Sequence, residues 1–395
     1  GSHPLAVGPL GYNGSKAGME LIAKADVVLA LGTRLNPFST LPGYGIDYWP
    51  KNAKIIQVDM NSDRIGLTKK VTVGICGDAK LVAQQLLKKL SPKAGDVDRK
   101  KSAYVANIFS CKSHNNIHEF VQQKNMEVVV ILTKSGQHYE HAKICIENNF
   151  NVLVEKPLAL RVEHANELLK LSEVKNKFCC SIFQNRLNPA VAVTKEAFKN
   201  NRFGKLVSVS VRLRWCRLQD YYDDGWHGTW SQDGGVTNQQ AIHHVDALTW
   251  ICGPVKTVSA LSAQRANKLE AEDTLVAALE LENGGLATLE LTTAARPRDI
   301  EASITITGTN GVVEIGGIAL NKIERWDFID ETAQDSTIMK DFSEEVENGY
   351  GISHYRQLEK IHQSYFNRKF PEIPFQVDSC LHTLRLIHSI YGSVE

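Results

Sequence analysis

Two residues in this sequence, Lys156 and His243, are of types that could move a proton and stabilise a charged oxygen. Lys156 follows the apolar run at residues 151–154 and precedes Pro157. His243 lies in the segment NQQAIHHVDAL, four residues after Gln239, and this spacing places both on one face of a predicted helix. An imidazole can take the proton of a hydroxyl group, while a nearby cation favours the negative charge that develops on its oxygen. Such a pair suits the removal of hydride from an alcohol.

Each of these residues also has a structural explanation. Glu155 and Lys156 could form an ion pair that caps a strand, and a lone histidine on an amphipathic helix is more often a hydrogen-bonded structural residue. A metal site at His243 and His244 is disfavoured, because neighbours on a helix point about 100° apart. No metal is therefore predicted, and the choice between site and scaffold depends on the rest of the chain.

Composition limits the classes of protein to which the chain can belong. Its 395 residues are 43% hydrophobic and 23% charged, with a formal charge of +1, which predicts several globular domains and no nucleic-acid partner. No apolar run approaches the roughly 18 residues of a membrane span, and the N-terminus lacks the pattern of a secretory signal. The eight cysteines form no C-x-x-C pair. We therefore expect buried free thiols at Cys179 and Cys180, a cytoplasmic location and no membrane partner.

The pattern of elements changes along the chain. Residues 1–90 and 103–185 alternate helical patterns with continuous apolar runs such as DVVLALG and EVVVILT, which is typical of parallel α/β sheets. Beyond about Gly204 the strand patterns alternate apolar and polar residues, and NGG and TNG mark hairpin turns. The predicted fold class is α/β followed by α+β, with parallel Rossmann-like sheet segments and then a mostly antiparallel sheet domain with helices.

Several motifs in order resemble those of one enzyme family. VVVILTKSGQHYEHAKICIE followed by NVLVEKPLAL resembles the core of the Gfo/Idh/MocA family of NAD(P)-dependent oxidoreductases. QNRLNPAV, YYDDGWHGTWSQDGG and NQQAIHHVDALTWICG resemble its nucleotide-sugar branch, which includes UDP-N-acetylglucosaminuronate 3-dehydrogenases. The resemblance covers about residues 103–395. It implies a truncated Rossmann-like NAD(P)-binding domain at 103–185 and an antiparallel-sheet substrate and oligomerisation domain at 186–395.

The resemblance also implies roles for individual residues. Lys156 would contact the nicotinamide ribose and the reacting hydroxyl, and His243 would be the general base. Gln239 takes a position where many members carry a carboxylate; its amide can orient a sugar hydroxyl but cannot hold a proton. An anion contact and a surface salt bridge fit Arg186 equally well, and packing fits Trp226 better than ligand contact. The cofactor side would include Thr133, Ser135, His138, Glu155 and Lys156, and the substrate side Gln239, Asn185, Arg186, Tyr222 and Trp226.

The first part of the chain departs from that family. A strand followed by G-x-G-x-x-G, which seats a pyrophosphate on a helix N-terminus, is absent from residues 1–130, so we expect NAD or NADP binding to be weakened. Residues 1–90 instead resemble half of the central domain of thiamine-diphosphate enzymes of the sulfoacetaldehyde acetyltransferase type, and residues 91–102 are the predicted linker. The thiamine-diphosphate motif of those enzymes is absent, so that cofactor is not expected to bind. One hypothesis is that the strands DVVLALG and AKIIQVDM complete the truncated parallel sheet.

Three interpretations of function stay open. The first is an NAD(P)-dependent oxidoreductase that transfers hydride from a sugar or nucleotide-sugar hydroxyl, impaired by the missing Gly-rich turn and paired with itself through the antiparallel sheet. The second is a non-catalytic chimera that retains only a scaffold. The third and least favoured is a thiamine-diphosphate-dependent acetyltransferase. The sequence does not choose the sugar, NAD or NADP, or between a genuine fusion and two joined fragments.

Overall fold

The chain divides into two compact units, Gly1–Asn115 and Asn116–Glu395. The structure, a computed structural model, describes residues 10, 15–35, 47–83, 102–114, 116–123, 125–367 and 375–394. Most of the predicted linker at 91–102 lies outside the described residues. Ser102, its last residue, begins a helical stretch at 102–108, so the division into units falls beyond the predicted linker.

The first unit contains a small parallel sheet. Its strands are β1 (Val27–Leu31), β2 (Lys54–Asp59) and β3 (Val73–Cys76), in the order β1-β2-β3. Helix α1 (Lys16–Ile22) precedes them, and the Ser15 hydroxyl caps it by accepting from the Gly18 amide at 3.0 Å. β2 is hydrogen-bonded on both sides, by β1 and by β3, so it has no free edge for another strand. Among the described residues β1 and β2 pair only within this sheet, so the described strand pairing gives no support to the hypothesis that they complete the second parallel sheet.

The second unit begins with another parallel sheet of three described strands. These are β4 (Val128–Ile131), β5 (Asn151–Val154) and β6 (Cys179–Ser181), with β5 in the centre. All four residues of β5 are buried, as expected for a strand covered on both faces. Because the strands are parallel, the residues after each of them lie at one edge of the sheet, where ligands of open α/β sheets bind.

A seven-stranded sheet forms the rest of the second unit. Its order is β13-β12-β11-β7-β10-β9-β8, and the pairs are antiparallel except for β7 and β10, which run parallel. The predicted NGG and TNG hairpins join β9 to β10 and β11 to β12, and Gly284 in the first turn has a φ of +84°, which favours glycine. The strands are β7 (Leu206–Arg214), β8 (Val255–Ala263), β9 (Thr274–Leu281), β10 (Leu286–Thr292), β11 (Glu301–Gly308), β12 (Gly311–Gly316) and β13 (Lys322–Phe328).

Helices cover one face of this sheet and flank the parallel one. The helix Ile242–Cys252 is buried along nearly its whole length and packs against β7, in the largest apolar cluster of the unit. No helix among the described residues is long and apolar enough to cross a lipid bilayer. The helices of this unit are α2 (Ile117–Phe120), α3 (His138–Glu147), α4 (Val162–Lys175), α5 (Pro189–Lys199), α6 (Gln219–Tyr222), α7 (Ile242–Cys252), α8 (Asp335–Asp341), α9 (Ser353–Phe366) and α10 (Val377–Gly392).

Candidate active site

A cavity of about 360 Å³ opens at the carboxyl end of β5. Glu155 and Lys156 enter its wall directly after that strand, and His243 enters it from the first turn of α7. The structure therefore brings the two residues that carry the sequence hypothesis to one cavity. The lining residues are Glu155, Lys156, Gln184, Trp215, Arg217, Tyr221, His227, Gln239, Gln240, His243, Asp299, Ile318, Gly349, Tyr350 and His354.

The Lys156 ammonium is held by Gln239. Its Nζ donates to the Gln239 carbonyl oxygen at 2.7 Å and also to the Gln239 side-chain oxygen. Burial lowers the pKa of Lys156, although the negative charges of Glu155 and Asp233 oppose that shift. The Glu155 carboxylate turns back to accept from the Lys156 amide at 2.7 Å. Both described hydrogen bonds of the cation are therefore made to one residue, Gln239, which is distant from it in the chain.

Gln239 precedes α7 instead of lying on it, which corrects the prediction that Gln239 and His243 share a helix face. The helix begins at Ile242. Before it, the Ala241 amide donates to the Val236 carbonyl at 2.8 Å, five residues back, so the segment is an irregular turn. The Gln239 carbonyl is used by Lys156, and this turn, not the helical repeat, places Gln239 in the cavity wall.

Asp233 lies behind Gln239 and is 1% exposed. One carboxylate oxygen accepts from the Gly228 amide at 2.8 Å, and the other accepts from the side-chain amide of Gln239. Burial raises the pKa of Asp233 to about 7, although the Gly228 amide and the charge of Lys156 favour its ionised form. Asp233, Gln239 and Lys156 thus form one continuous hydrogen-bonded chain that ends in the cavity.

The imidazole of His243 has a ring nitrogen without a hydrogen-bond partner among the described residues. Its ring packs edge-on against Phe183 at 6.0 Å between centroids, and that nitrogen is Nδ1. Burial, followed by the charges of Lys156 and the neighbouring histidines, holds the pKa of His243 well below its usual 6.5. The ring is therefore uncharged at neutral pH and able to accept a proton.

The guanidinium of Arg217 and several aromatic rings line the other side of the cavity. The Arg217 guanidinium lies 5.0 Å from the centroid of the Trp215 ring and pairs with Asp299 at 3.1 Å. Tyr221 accepts from the Gln240 amide at 3.2 Å, and its ring lies 4.2 Å from that of His227. Arg217 and the histidine give this wall groups that can bind an anionic or hydroxyl-rich ligand.

The predicted cofactor residues follow β4 and β5. Ser135 is buried in the turn after β4, and His138 is buried at the first position of α3. Both ring nitrogens of His138 contact carbonyl oxygens, of Pro157 at 2.7 Å and Thr133 at 2.9 Å. The Thr133 hydroxyl contacts the ring of His141 at 3.1 Å. Of the predicted set, Glu155 and Lys156 line the cavity, whereas Thr133, Ser135 and His138 lie outside its lining.

Four predicted substrate residues are also outside the cavity lining. Asn185 and Tyr222 are buried, and the Tyr222 hydroxyl bonds to that of Thr293 at 2.8 Å. Trp226 packs its ring on that of His227, 3.7 Å between centroids. The fourth, Arg186, is held inside the protein, so its ion pair is a buried one and not the surface salt bridge that the sequence allowed.

Arg186 is tied to α7 and to the start of α10. Its Nε and Nη2 donate to the two carboxylate oxygens of Asp246, at 2.8 and 2.6 Å, and Nη1 donates to the Ser379 hydroxyl at 3.1 Å. Asp246 also accepts from the Thr383 hydroxyl at 2.7 Å. Asp246 lies three positions after His243 on α7, but its carboxylate bonds to Arg186 and not to the imidazole.

Sequence reasoning missed several residues of the cavity. Gln184 is buried, and its side-chain oxygen has no hydrogen-bond partner among the described residues. It precedes the predicted Asn185 and Arg186 by one and two positions. Arg217 and Tyr221 were missed as well, although the density of aromatic and charged residues from Trp215 to His227 is a signal that could have identified them. No sequence pattern pointed to Asp233.

Comparison with known proteins identifies the family of the chain from residue 73 onward. The model "Oxidoreductase family, NAD-binding Rossmann fold" of GFO/IDH/MocA matches residues 73–183, and the GFO/IDH/MocA C-terminal domain matches 191–314. A WlbA dehydrogenase from Chromobacterium violaceum, solved with NADH and UDP-GlcNAcA, is 33% identical with a TM-score of 0.70, over 75% of this chain and 84% of that one. The chain belongs to the Gfo/Idh/MocA oxidoreductase family. This confirms the first resemblance.

A second solved structure agrees with the first. The WlbA dehydrogenase from Bordetella pertussis, also in complex with NADH and UDP-GlcNAcA, is 31% identical to this chain with a TM-score of 0.68. The likeness covers 75% of this chain and 85% of that chain. The predicted order of a Rossmann-like sheet and a mostly antiparallel sheet is thereby confirmed for this Gfo/Idh/MocA member.

The beginning of this Gfo/Idh/MocA member matches another family. The model "Thiamine pyrophosphate enzyme, central domain" covers residues 1–86. A probable sulfoacetaldehyde acetyltransferase from Rhizobium meliloti is 82% identical over 101 residues, which are 26% of this chain and 17% of that relative. The chain thus spans about a sixth of the length of this curated relative. The second resemblance read from the sequence is also confirmed.

We expect replacement of Arg186 by methionine to lower the free energy of unfolding by about 3–5 kcal/mol, because it leaves the Asp246 charge buried without its cation. Urea unfolding measures this change. The double variant Arg186→Met/Asp246→Leu should recover most of the loss, since it removes the buried charge as well. Unchanged stability with a raised KM for substrate would instead show that Arg186 binds the substrate.

Proposed function

We propose that the second unit is an NAD(P)-dependent dehydrogenase that removes hydride from a hydroxyl-bearing carbon of a sugar or nucleotide sugar. The observation that carries this proposal is that Lys156 and His243 line one cavity at the carboxyl edge of the parallel sheet. A cation and an uncharged imidazole at one cavity are the two groups that oxidation of an alcohol needs.

Each of these groups has a defined task in the proposed reaction. His243 takes the hydroxyl proton, because its low pKa keeps the ring uncharged at neutral pH. Lys156 lies where its ammonium can favour the negative charge on the substrate oxygen, and Gln239 holds that ammonium in place. A bound nicotinamide ring supplies the acceptor for the hydride. The Gln239 amide can orient a neighbouring hydroxyl but does not take part in proton transfer.

The residues present fit the nicotinamide end of NAD or NADP. The unpartnered oxygen of Gln184 and the unpartnered Nδ1 of His243 are both buried in the cavity wall among the described residues, and such groups call for a polar ligand. Glu155 and Lys156 would hold the ribose beside them. The turn after β4, with Thr133 and Ser135, and the first residue of α3, His138, would lie along the cofactor.

The proposed substrate class rests on similarity and on charge. Both WlbA dehydrogenases were solved with UDP-GlcNAcA, a nucleotide sugar that bears a carboxylate. In this chain Arg217 and His227 line the cavity, and a guanidinium is suited to a carboxylate or phosphate. We therefore propose an anionic nucleotide sugar, handled in the cytoplasm. The first unit is proposed to add no thiamine-diphosphate chemistry.

Replacement of either Lys156 or His243 by alanine should lower kcat/KM by about 10²-fold or more, because each removes a group needed at the reacting oxygen. The assay follows NADH formation from NAD⁺ and UDP-GlcNAcA. His244→Phe is the matched control, since this adjacent histidine does not itself line the cavity and phenylalanine keeps a ring edge-on to Trp215; this variant should keep wild-type turnover. Full turnover by Lys156→Ala would contradict the proposed mechanism.

We expect the affinity of the chain for NADH to be weak, with a Kd above the low micromolar range, because residues 1–130 hold no Gly-rich turn after a strand to seat the pyrophosphate. Fluorescence titration measures it, with reduced nicotinamide mononucleotide as the matched ligand. Similar affinities for NADH and for reduced nicotinamide mononucleotide would agree with a site that binds only the nicotinamide half of the cofactor. A low micromolar Kd for NADH contradicts weakened binding, and no binding of either favours the non-catalytic chimera.

The second unit is proposed to pair with itself through the open face of the seven-stranded sheet. Leu261 and Val276 are cross-strand partners on that face and are 71% and 53% exposed, which is typical of an interaction surface. Sedimentation velocity should therefore show an oligomer that Leu261→Glu dissociates. Leu358→Glu, at an equally apolar exposed site on α9, is the control and should leave the oligomer intact; a monomeric wild type would refute the pairing.

A further inference from the structure

Asp233 is a buried carboxylate that touches the site without lining it. It is outside the cavity lining, yet it is one hydrogen bond from Gln239 and two from Lys156. The backbone holds it firmly: its amide donates to the Thr229 carbonyl at 3.0 Å, and its own carbonyl accepts from the Asn238 side chain at 2.6 Å. Because its backbone is held in this way, the Asp233 carboxylate has a fixed position and can orient the groups that hydrogen-bond to it.

The carboxylate of Asp233 decides which way the Gln239 amide faces. An amide side chain has one accepting oxygen and one donating nitrogen, whereas an ionised carboxylate, the form of Asp233 above its pKa of about 7, can only accept. The Gln239 nitrogen therefore faces Asp233, and its oxygen faces Lys156. The reversed amide would set two oxygens against each other at Asp233 and an NH₂ group against the ammonium of Lys156.

The orientation of Gln239 in turn decides how Lys156 meets the cavity. An ammonium has three N–H donors. Two of them are taken by the carbonyl and side-chain oxygens of Gln239, so one is left to point at a ligand. If the Gln239 side-chain oxygen turned away, the Lys156 ammonium would lose one of its two hydrogen bonds to Gln239. The free-energy cost of burying its charge would then be offset less fully.

A second contact fixes the other oxygen of the carboxylate. The Gly228 amide donates to it at 2.8 Å. Gly228 has a φ of +72°, and a Cβ there would lie 2.8 Å from Leu269, so glycine is required at this point of the loop. One carboxylate oxygen of Asp233 accepts from Gly228, and the other accepts from Gln239.

We propose that Asp233 is a positioning residue that fixes the orientation of the Gln239 amide and, through it, the direction of the Lys156 ammonium into the cavity. Its effect on turnover rests on the proposed dehydrogenase function, but its effect on Lys156 itself does not. The proposal differs from a general stabilising role, because it predicts that donor and acceptor can be exchanged between positions 233 and 239.

The exchange is made with Asp233→Asn, Gln239→Glu and the double variant. Asparagine at 233 offers one oxygen, for Gly228, and an NH₂ group that faces Gln239, so the Gln239 amide is expected to turn its oxygen away from Lys156. In the double variant a carboxylate at 239 accepts both from the new amide and from Lys156. The hydrogen-bond pattern and the total charge are then restored with the roles reversed.

The readout that does not depend on turnover is the reactivity of Lys156. Acetic anhydride labelling at pH 8, with mass spectrometry of the Lys156 peptide, measures how freely the amine leaves its anchor. Asp233→Asn should raise the labelling rate on the order of tenfold, and the double variant should return it to within about threefold of wild type. Turnover of UDP-GlcNAcA with NAD⁺ should fall on the order of tenfold in each single variant and recover in the double variant.

Glu272→Gln is the matched control. Glu272 is also a buried carboxylate of this region, but it accepts from the Thr237 amide and the Tyr391 hydroxyl, both at 3.1 Å, and has no described bond to Gln239 or Lys156. Its labelling and turnover should stay within about twofold of wild type. An equal effect of Glu272→Gln and Asp233→Asn would show a general packing effect and overturn the proposal.

The two proposals fail in different ways. Unchanged Lys156 labelling in Asp233→Asn, or a double variant no better than the worse single variant, overturns the positioning role even if the wild type oxidises its substrate. A wild type with no turnover, together with the predicted labelling pattern, refutes the dehydrogenase function and supports the positioning role.

Discussion

The buried ammonium group of Lys156 is the constraint on which the arrangement of the site depends. A cation removed from water needs hydrogen-bond acceptors and nearby negative charge. Gln239 supplies the acceptors, while Glu155 and Asp233 supply the charge. Two of these three lie far from Lys156 in the chain, so the cost of burying the cation is offset only when the parallel sheet and the segment before α7 are folded together.

The same requirement shapes the helix that carries the imidazole. The Gln239 carbonyl bonds to Lys156, and α7 begins only at Ile242. His243 therefore enters the cavity from the first turn of the helix, while Asp246 holds Arg186 in a buried ion pair. Removing one partner of such a pair leaves an uncompensated charge. Two polar contacts thus hold α7 and the segment before it: the bond between Gln239 and Lys156 at the cavity, and the ion pair of Asp246 with Arg186 in the interior of the unit.

The two units resemble different protein families, although both are built on a parallel sheet. Each contains a parallel sheet of three described strands, which are hydrogen-bonded in the orders β1-β2-β3 and β4-β5-β6. The thiamine-enzyme model and the Rossmann model overlap at residues 73–86, which include β3. A short apolar strand followed by a helix is a common unit of both kinds of parallel sheet, so this stretch satisfies either pattern. Fold alone therefore says little about function in the first unit.

The sequence by itself determined the elements and the two central residues of the site. Apolar runs, alternation and turn residues act over a few positions, so the order of strands and hairpins was predictable. The end of a strand marked Lys156 and a helical segment marked His243, and both residues line one cavity. Tertiary structure alone decided that Gln184 lines the cavity while Arg186, two positions later, lies in a buried ion pair. Tertiary structure also brought Asp233 against Gln239. The sequence pattern cannot show which of several neighbouring side chains faces the cavity, because that depends on the backbone and side-chain torsions of the folded chain.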